Sequence, residues 1–202
     1  MRDPDPLARV VAALERGAPE SSDFDLSPDL RRRNARDLHP AAVLIALQDG
    51  PAGPSVLLTK RSSRLANHPG QIALPGGKPE PGDSGLAASA LREAHEEIGL
   101  DPANVDLLGQ LAAHETVTGF HVTPVLGRVR APFTPVPEIG EVDEVFTVPL
   151  AHLADLSRYR TERRRWLGQW RAYDVVPYGP YYIWGATARI LRGLAERMAR
   201  CG

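Results

Sequence analysis

Three glutamates within five residues, Glu93, Glu96 and Glu97, constrain this chain more than any other feature. They lie in the run Arg92-Glu93-Ala94-His95-Glu96-Glu97-Ile98-Gly99-Leu100, which follows the turn Leu74-Pro75-Gly76-Gly77-Lys78. The pattern predicts a helix from about Ser84 to Ile98, on which the three acids share an arc of about 100°. Ala87, Ala90, Leu91, Ala94 and Ile98 form an apolar stripe centred elsewhere on that helix, so one side packs into a core while the other gathers carboxylates. Gly99 suits a left-handed cap that ends it. Like charges one turn apart weaken a helix. A hard divalent cation bound by carboxylate oxygens offsets that repulsion, so a magnesium-dependent site is the leading chemistry. The alternative is a solvated acidic face, against which the glycine turn, the arginine at 92 and the terminating glycine all weigh.

At 202 residues the chain can bury one generous core without disulfides or zinc. The net charge of −1 gives no overall pull toward nucleic acid or an anionic membrane, so an anionic substrate must be drawn by local charge. The single cysteine, Cys201, excludes an internal disulfide and a cysteine-based metal cluster. No apolar run approaches the roughly 20 residues that span a bilayer, and the charged, proline-rich start does not read as a secretory signal. A cytoplasmic location is the default expectation.

One domain is expected over 1–202, with its core at about 38–195. Residues 1–37 supply a short helix, started at Asp3 to Asp5 and stopped at Gly17, and a surface crossing over 18–37. The apolar runs 41–47 and 55–59, separated by Asp49-Gly50-Pro51-Ala52-Gly53-Pro54, predict a buried hairpin. Further strands are expected at 105–113, 122–129, 142–148 and around 173–176, with helices near 151–156 and 183–198. This mixed order points to an α/β sandwich and away from a doubly wound parallel sheet.

The glycine turn and glutamate helix resemble the signature of the Nudix hydrolases: glycine, five residues, glutamate, seven residues, then Arg-Glu-apolar-x-Glu-Glu-x-Gly-apolar. The second half matches at Arg92 to Leu100. In the first half Asp83 stands where the glutamate is expected from Gly77, and eight residues separate it from Arg92. A plain helix N-cap is the other reading of Asp83. The resemblance implies a Nudix-type α/β/α sandwich with a mixed sheet, and a divalent cation, Mg2+ or alternatively Mn2+. It implies Glu93 and Glu97 as metal ligands with Glu96 beside them, and a backbone carbonyl from Gly76 or Gly77 as a further ligand. Arg92 joins the catalytic group as a brace, by i,i+4 pairing with Glu96. His95 has no functional assignment.

Residues 57–77 carry a second likeness. Leu-Leu-Thr-Lys-Arg-Ser, then His-Pro-Gly-Gln, then Pro-Gly-Gly is similar to the motif of the coenzyme A pyrophosphatase branch, where the aspartate at 83 and the extra residue before Arg92 are also typical. Val122-Thr123-Pro124-Val125 and Ile183-Trp184-Gly185-Ala186-Thr187 extend the likeness to roughly 38–195. Lys60, Arg61, Arg64 and His68 form a cationic cluster suited to the diphosphate and separate 3′-phosphate of coenzyme A. Ser62, Ser63 and Gln71 are candidates for neutral hydrogen bonds, or the serines merely shape a turn. Glu141 and Glu144 are candidates for the extra carboxylate that Nudix enzymes often draw from a loop, with Glu96 and Glu144 as candidate general bases. Trp166, Trp170, Tyr178, Tyr181 and Tyr182 can stack on adenine, although packing is the plainer reading.

The expected reaction is magnesium-dependent hydrolysis of coenzyme A to 3′,5′-ADP and 4′-phosphopantetheine. The rivals are a Nudix hydrolase acting on NADH, ADP-ribose or an oxidised nucleoside triphosphate, and a catalytically silent nucleotide-sensing module. The expected partner is a small-molecule substrate, with neither nucleic acid nor membrane, and with a homodimer left open.

Overall fold

A computed structural model describes residues 5–28, 38–166 and 168–201. In chain order these form α1 (Pro6–Glu15), β1 (Ser21–Ser22), β2 (His39–Gln48), β3 (Ser55–Arg61), β4 (Ile72–Ala73), β5 (Gly76–Gly77) and α2 (Leu86–Ile98). There follow β6 (Val105–Gln110), β7 (His114–Glu115), β8 (Phe120–Val129), β9 (Val142–Pro149), α3 (Leu150–Ala154), β10 (Arg160–Trp166), β11 (Gln169–Tyr178), β12 (Tyr181–Trp184) and α4 (Ala186–Ala199).

Successive residues of β2 enter opposite faces of the main sheet, which explains why its sequence is apolar throughout. Ala42, Leu44 and Ala46 pack with Ala90, Ala94 and Ile98 of α2. Ala41, Ile45 and Leu47 join the larger core that contains Val10 of α1, Leu153 of α3 and Leu191 of α4. Helices therefore cover both faces of a mixed sheet, the α/β/α sandwich expected. Its main path runs β1-β7-β8-β2-β3-β4, with β5 on β2, β6 on β8 and β9 on β3. A separate antiparallel sheet is made of β10, β11 and β12. No described helix is long and apolar enough to cross a membrane.

The expected hairpin is realised only at its closed end. β2 and β3 pair at Leu47↔Val56 and Gln48↔Ser55, then separate. Beyond that point β2 runs parallel to β8, and β3 runs antiparallel to β9. The chain at 75–77 enters the gap: Leu44 N–H donates to the Pro75 carbonyl, and Gly76 and Gly77 pair with Val43 and Ala42. This wedge brings the glycine turn into the middle of the sheet. Other boundaries also move. The strand expected at 105–113 stops at Gln110, β10 forms where no element is expected, and residues 183–184 belong to β12, not to the last helix. Asp5 caps α1 through its side chain, while Asp3 and residues 29–37 of the expected crossing lie outside the described residues.

Candidate active site

The wedge and α2 meet face to face. The Gly76 N–H donates to Glu97 Oε2 at 3.3 Å. A Cβ on Gly77 would lie 2.4 Å from Glu93 Oε1, and one on Gly76 would lie 2.3 Å from the Ala42 carbonyl oxygen. Side chains at either position would collide, so two glycines are what permits the carboxylates to approach this backbone. A cleft of about 580 Å³ opens here, with Glu93, Glu97, Glu141, Arg61, His68 and Lys78 among its walls.

Glu97 is only 5% exposed, and burial pushes its carboxyl up to about 7. The Gly76 N–H and Arg61, whose Nη1 is 3.9 Å from Glu97 Oε1, oppose that rise, while Glu93 and Glu141 add to it. Glu93 is also raised, chiefly by burial, with Glu96 and Glu141 contributing. Two acids are thus withdrawn from water at one wall while a third repels them. A bound cation would relieve both penalties. Among the described residues no group of three His, Cys, Asp or Glu is gathered closely enough to hold a metal alone. Magnesium does not need such a cage, since it keeps several waters and is commonly held by one or two carboxylates plus substrate phosphates. The donor set fits that ion, with Glu93 and Glu97 as the residues that would hold it.

Glu96 is different. Its side chain is 56% exposed, and its Oε2 accepts from Arg92 Nη1 at 2.8 Å. The i,i+4 brace is therefore present, and Arg92 reaches further. It donates to the Lys78 carbonyl at 2.9 Å, to Glu93 Oε1 at 3.1 Å and to Asp83 Oδ1 at 3.2 Å. The bonds to Lys78 and Asp83 tie the loop after the glycine turn to α2, and those to Glu93 and Glu96 hold the carboxylates of the helix itself. Arg92 is a positioning residue in this geometry, not one that lines the cleft. Asp83 is not the helix cap: Gly85 occupies that position. The Asp83 carboxylate accepts from the Glu80 N–H and from Arg92, and these bonds pull its carboxyl down to about 2.

The residues at 57–77 divide between two places. Arg61, Gly76 and Gly77 line the carboxylate cleft, and Lys60 and Gln71 line a second cleft of about 750 Å³. His68 and Thr118 border both. His68 holds a φ of 55°, a conformation uncommon for a residue with a side chain and often found at functional positions. Arg64 is exposed and lines neither wall.

Ser62 and Ser63 have local tasks. Ser62 is 1% exposed, and its Oγ accepts from the Arg64 N–H, while the Ser63 N–H donates to Asp143. Ser62 is thus too buried to hydrogen-bond a substrate. It shapes the turn that carries Arg64. Glu144 also departs from expectation. It lies in β9 opposite Lys60, not in a loop, it borders the second cleft, and its Oε1 accepts from the Tyr181 hydroxyl at 2.5 Å. Glu141, from the turn just before β9, is the acid that shares a wall with Glu93 and Glu97.

Among the aromatics, Tyr181 is stacked on Phe146 with centroids 3.6 Å apart, Tyr178 packs edge-on to His152, and Trp170 is exposed away from both clefts. The side chain of Trp166 lies outside the described residues. Tyr181 and Tyr182 do line the second cleft, joined by Trp184 and Arg164, which the sequence reading did not single out. Lys78 was also missed, although its place directly after Gly77 was the available signal.

The NUDIX domain family model matches residues 37–169. The chain is 41% identical over 169 residues to NudL of Enterobacter sp. (strain 638), named as an uncharacterized Nudix hydrolase, with 82% of this chain and 88% of that protein covered. It is 43% identical over 161 residues to the NudL of Yersinia enterocolitica, covering 79% and 82%. Among solved structures, a MutT/nudix family protein from Enterococcus faecalis superposes with a TM-score of 0.55 at 16% identity, covering 86% of this chain and 66% of that one. The fold is thus a Nudix fold, and the chain belongs to the Nudix hydrolases. Enzymes of this family act on small molecules and generally use divalent metal ions such as Mg2+.

Proposed function

We propose that the protein hydrolyses the diphosphate of coenzyme A, giving 3′,5′-ADP and 4′-phosphopantetheine. One observation carries this reading: the segment 57–77, whose motif is similar to that of the coenzyme A pyrophosphatases, delivers Arg61, His68, Gly76 and Gly77 to the same cleft as Glu93 and Glu97. In this reading Arg61, Lys78 and His68 hold the diphosphate oxygens, which otherwise would be repelled by the acids. A magnesium ion held by Glu93 and Glu97, with manganese as an alternative, would supply charge neutralisation for the phosphoryl oxygens. Arg92 keeps both carboxylates and the glycine loop in register, so that alignment is set before substrate arrives. Glu141 takes the proton of a water attacking phosphorus in line. Glu96 and Glu144 are less suited to that role, since Arg92 and Tyr181 engage them.

The test is a product assay by chromatography with Mg2+ present, comparing coenzyme A, its acyl and disulfide forms, ADP-ribose and NADH. Release of 3′,5′-ADP at a rate well above AMP release from ADP-ribose is the expected result. Faster turnover of ADP-ribose or NADH would replace the substrate, and absence of magnesium-dependent product from every compound would leave a sensing module.

A further inference from the structure

The second cleft carries charge that the hydrolysis of a diphosphate does not use. It meets the carboxylate cleft at His68 and Thr118, and its walls come from β3, β9, the segment 68–72, the turn at 117–118 and the three-stranded sheet. Lys60 and Arg164 both line it. Neither forms an ion pair with a carboxylate among the described residues; Asp143 attracts Lys60 only from a distance. Arg164 is carried instead on the ring of Trp184, with its guanidinium carbon 5.0 Å from the centroid. The third cation of the wall, Arg171, is already neutralised by Asp23 at 2.8 Å. The acid of the wall, Glu144, is engaged by Tyr181 at 2.5 Å.

An arginine stacked on an aromatic face keeps its in-plane N–H fork open, and stacking limits the freedom it must lose on binding. That fork matches the oxygens of a phosphomonoester, which carries close to two negative charges at neutral pH. We infer that the second cleft is a subsite for a phosphomonoester on the nucleotide end of the substrate, with Arg164 and Lys60 as its ligands. Resting on the coenzyme A reading, this makes Arg164 a specificity-determining residue that selects the 3′-phosphate while cleavage proceeds next door.

The experiment compares coenzyme A with dephospho-coenzyme A, which differ only in that phosphate. The parent protein, Arg164→Ala and Arg164→Lys are assayed for kcat and KM with Mg2+. Calorimetry on the same three proteins measures binding of 3′,5′-ADP and 5′-AMP without turnover. Arg164 is exposed, so the variants are expected to fold, which circular dichroism verifies. The alanine variant should raise KM for coenzyme A about tenfold with kcat nearly unchanged, and should leave dephospho-coenzyme A unaffected. The lysine variant should recover part of the loss. The parent should bind 3′,5′-ADP more tightly than 5′-AMP, and the alanine variant should bind them alike. Equal losses on both substrates, or a parent with no preference between the two nucleotides, would overturn the subsite. If neither coenzyme is cleaved but the nucleotide preference survives and depends on Arg164, the substrate reading fails and the subsite stands.

Discussion

At the scale of single residues, Glu97 is held where it is costly to the fold and where the proposed reaction would use it. Its carboxyl lies at about 7 in the folded chain against an ordinary value of 4.5, because burial disfavours the charge. The folded state therefore binds more protons than the unfolded chain between those values, and stability from this group falls as pH rises through that window. Above pH 7 the full cost is present, on the order of 3 kcal/mol. Glu97→Gln keeps an acceptor for the Gly76 N–H and removes the charge. In metal-free buffer its melting temperature should exceed the parent's at pH 8, and the gap should close toward pH 4.5. The same variant should have no measurable turnover with Mg2+. A melting curve identical to the parent's at both pH values would refute the buried-charge account, and an active variant would remove Glu97 from the metal assignment. The two glycines divide in a related way. The nearest atoms to a Cβ on Gly77 are the movable carboxylate end of Glu93, whereas a Cβ on Gly76 meets first the backbone of Ala42 and Val43. Gly77→Ala should fold nearly as well as the parent yet lose about a hundredfold in kcat, as a displaced catalytic group does. Gly76→Ala should instead unfold at lower denaturant, by about 2 kcal/mol or more.

At the scale of elements, α2 and the loop before it work as one piece because Arg92 bonds to both. Its side chain is 21% exposed and reaches Lys78, Asp83, Glu93 and Glu96. Arg92→Ala should cost about 1–3 kcal/mol in urea unfolding and lower kcat with little change in KM, since the lost contacts position carboxylates and do not touch substrate. A raised KM at constant kcat would show instead that Arg92 meets the diphosphate. This helix was legible in the sequence, because an apolar stripe, an acidic face and a terminating glycine are local signals. The i,i+4 brace was legible for the same reason. The bond to Asp83 was not, since the loop conformation that brings position 83 beside 92 depends on the wedge in the sheet. The hairpin shows the same limit from the other side. Apolar runs at 41–47 and 55–59 announce two buried strands, but their separation to admit residues 75–77 is decided by β8 and β9, far along the chain.

At the scale of the whole molecule, the second sheet and the N-terminal segment were the least legible parts. β10 reads Arg-Thr-Glu-Arg-Arg-Arg-Trp, a charged string with no buried face in its pattern, and it is a strand because β11 pairs with it along its length. The N-terminal segment is fixed by a buried cluster that has no motif. Asp23 accepts from the Val117 N–H at 2.8 Å and from Arg171 Nη2 at 2.8 Å, and its Oδ1 is 3.4 Å from Nε2 of the fully buried His114. His114, Arg171 and the Val117 N–H together hold the Asp23 carboxyl below its ordinary range in spite of burial. Both Asp23 and Arg171 fall outside the residues matched by the family model. The cluster nevertheless reaches the site, because Val117 and Arg171 line the second cleft and Thr118 borders both. Removing one member of a buried ion pair strands the other, which costs about 3–5 kcal/mol. Asp23→Ala should lose stability on that scale and, below its melting temperature, show a KM raised severalfold. Asp23→Asn, which keeps an acceptor for Val117, should lose less on both counts. Asp174 offers the control, being a buried acid paired with Arg192 at 2.6 Å that lines neither cleft. Asp174→Asn should be destabilised comparably while its KM stays at the parent's value. Should both aspartate variants shift KM alike, the Asp23 cluster is a stabilising knot with no special hold on the clefts.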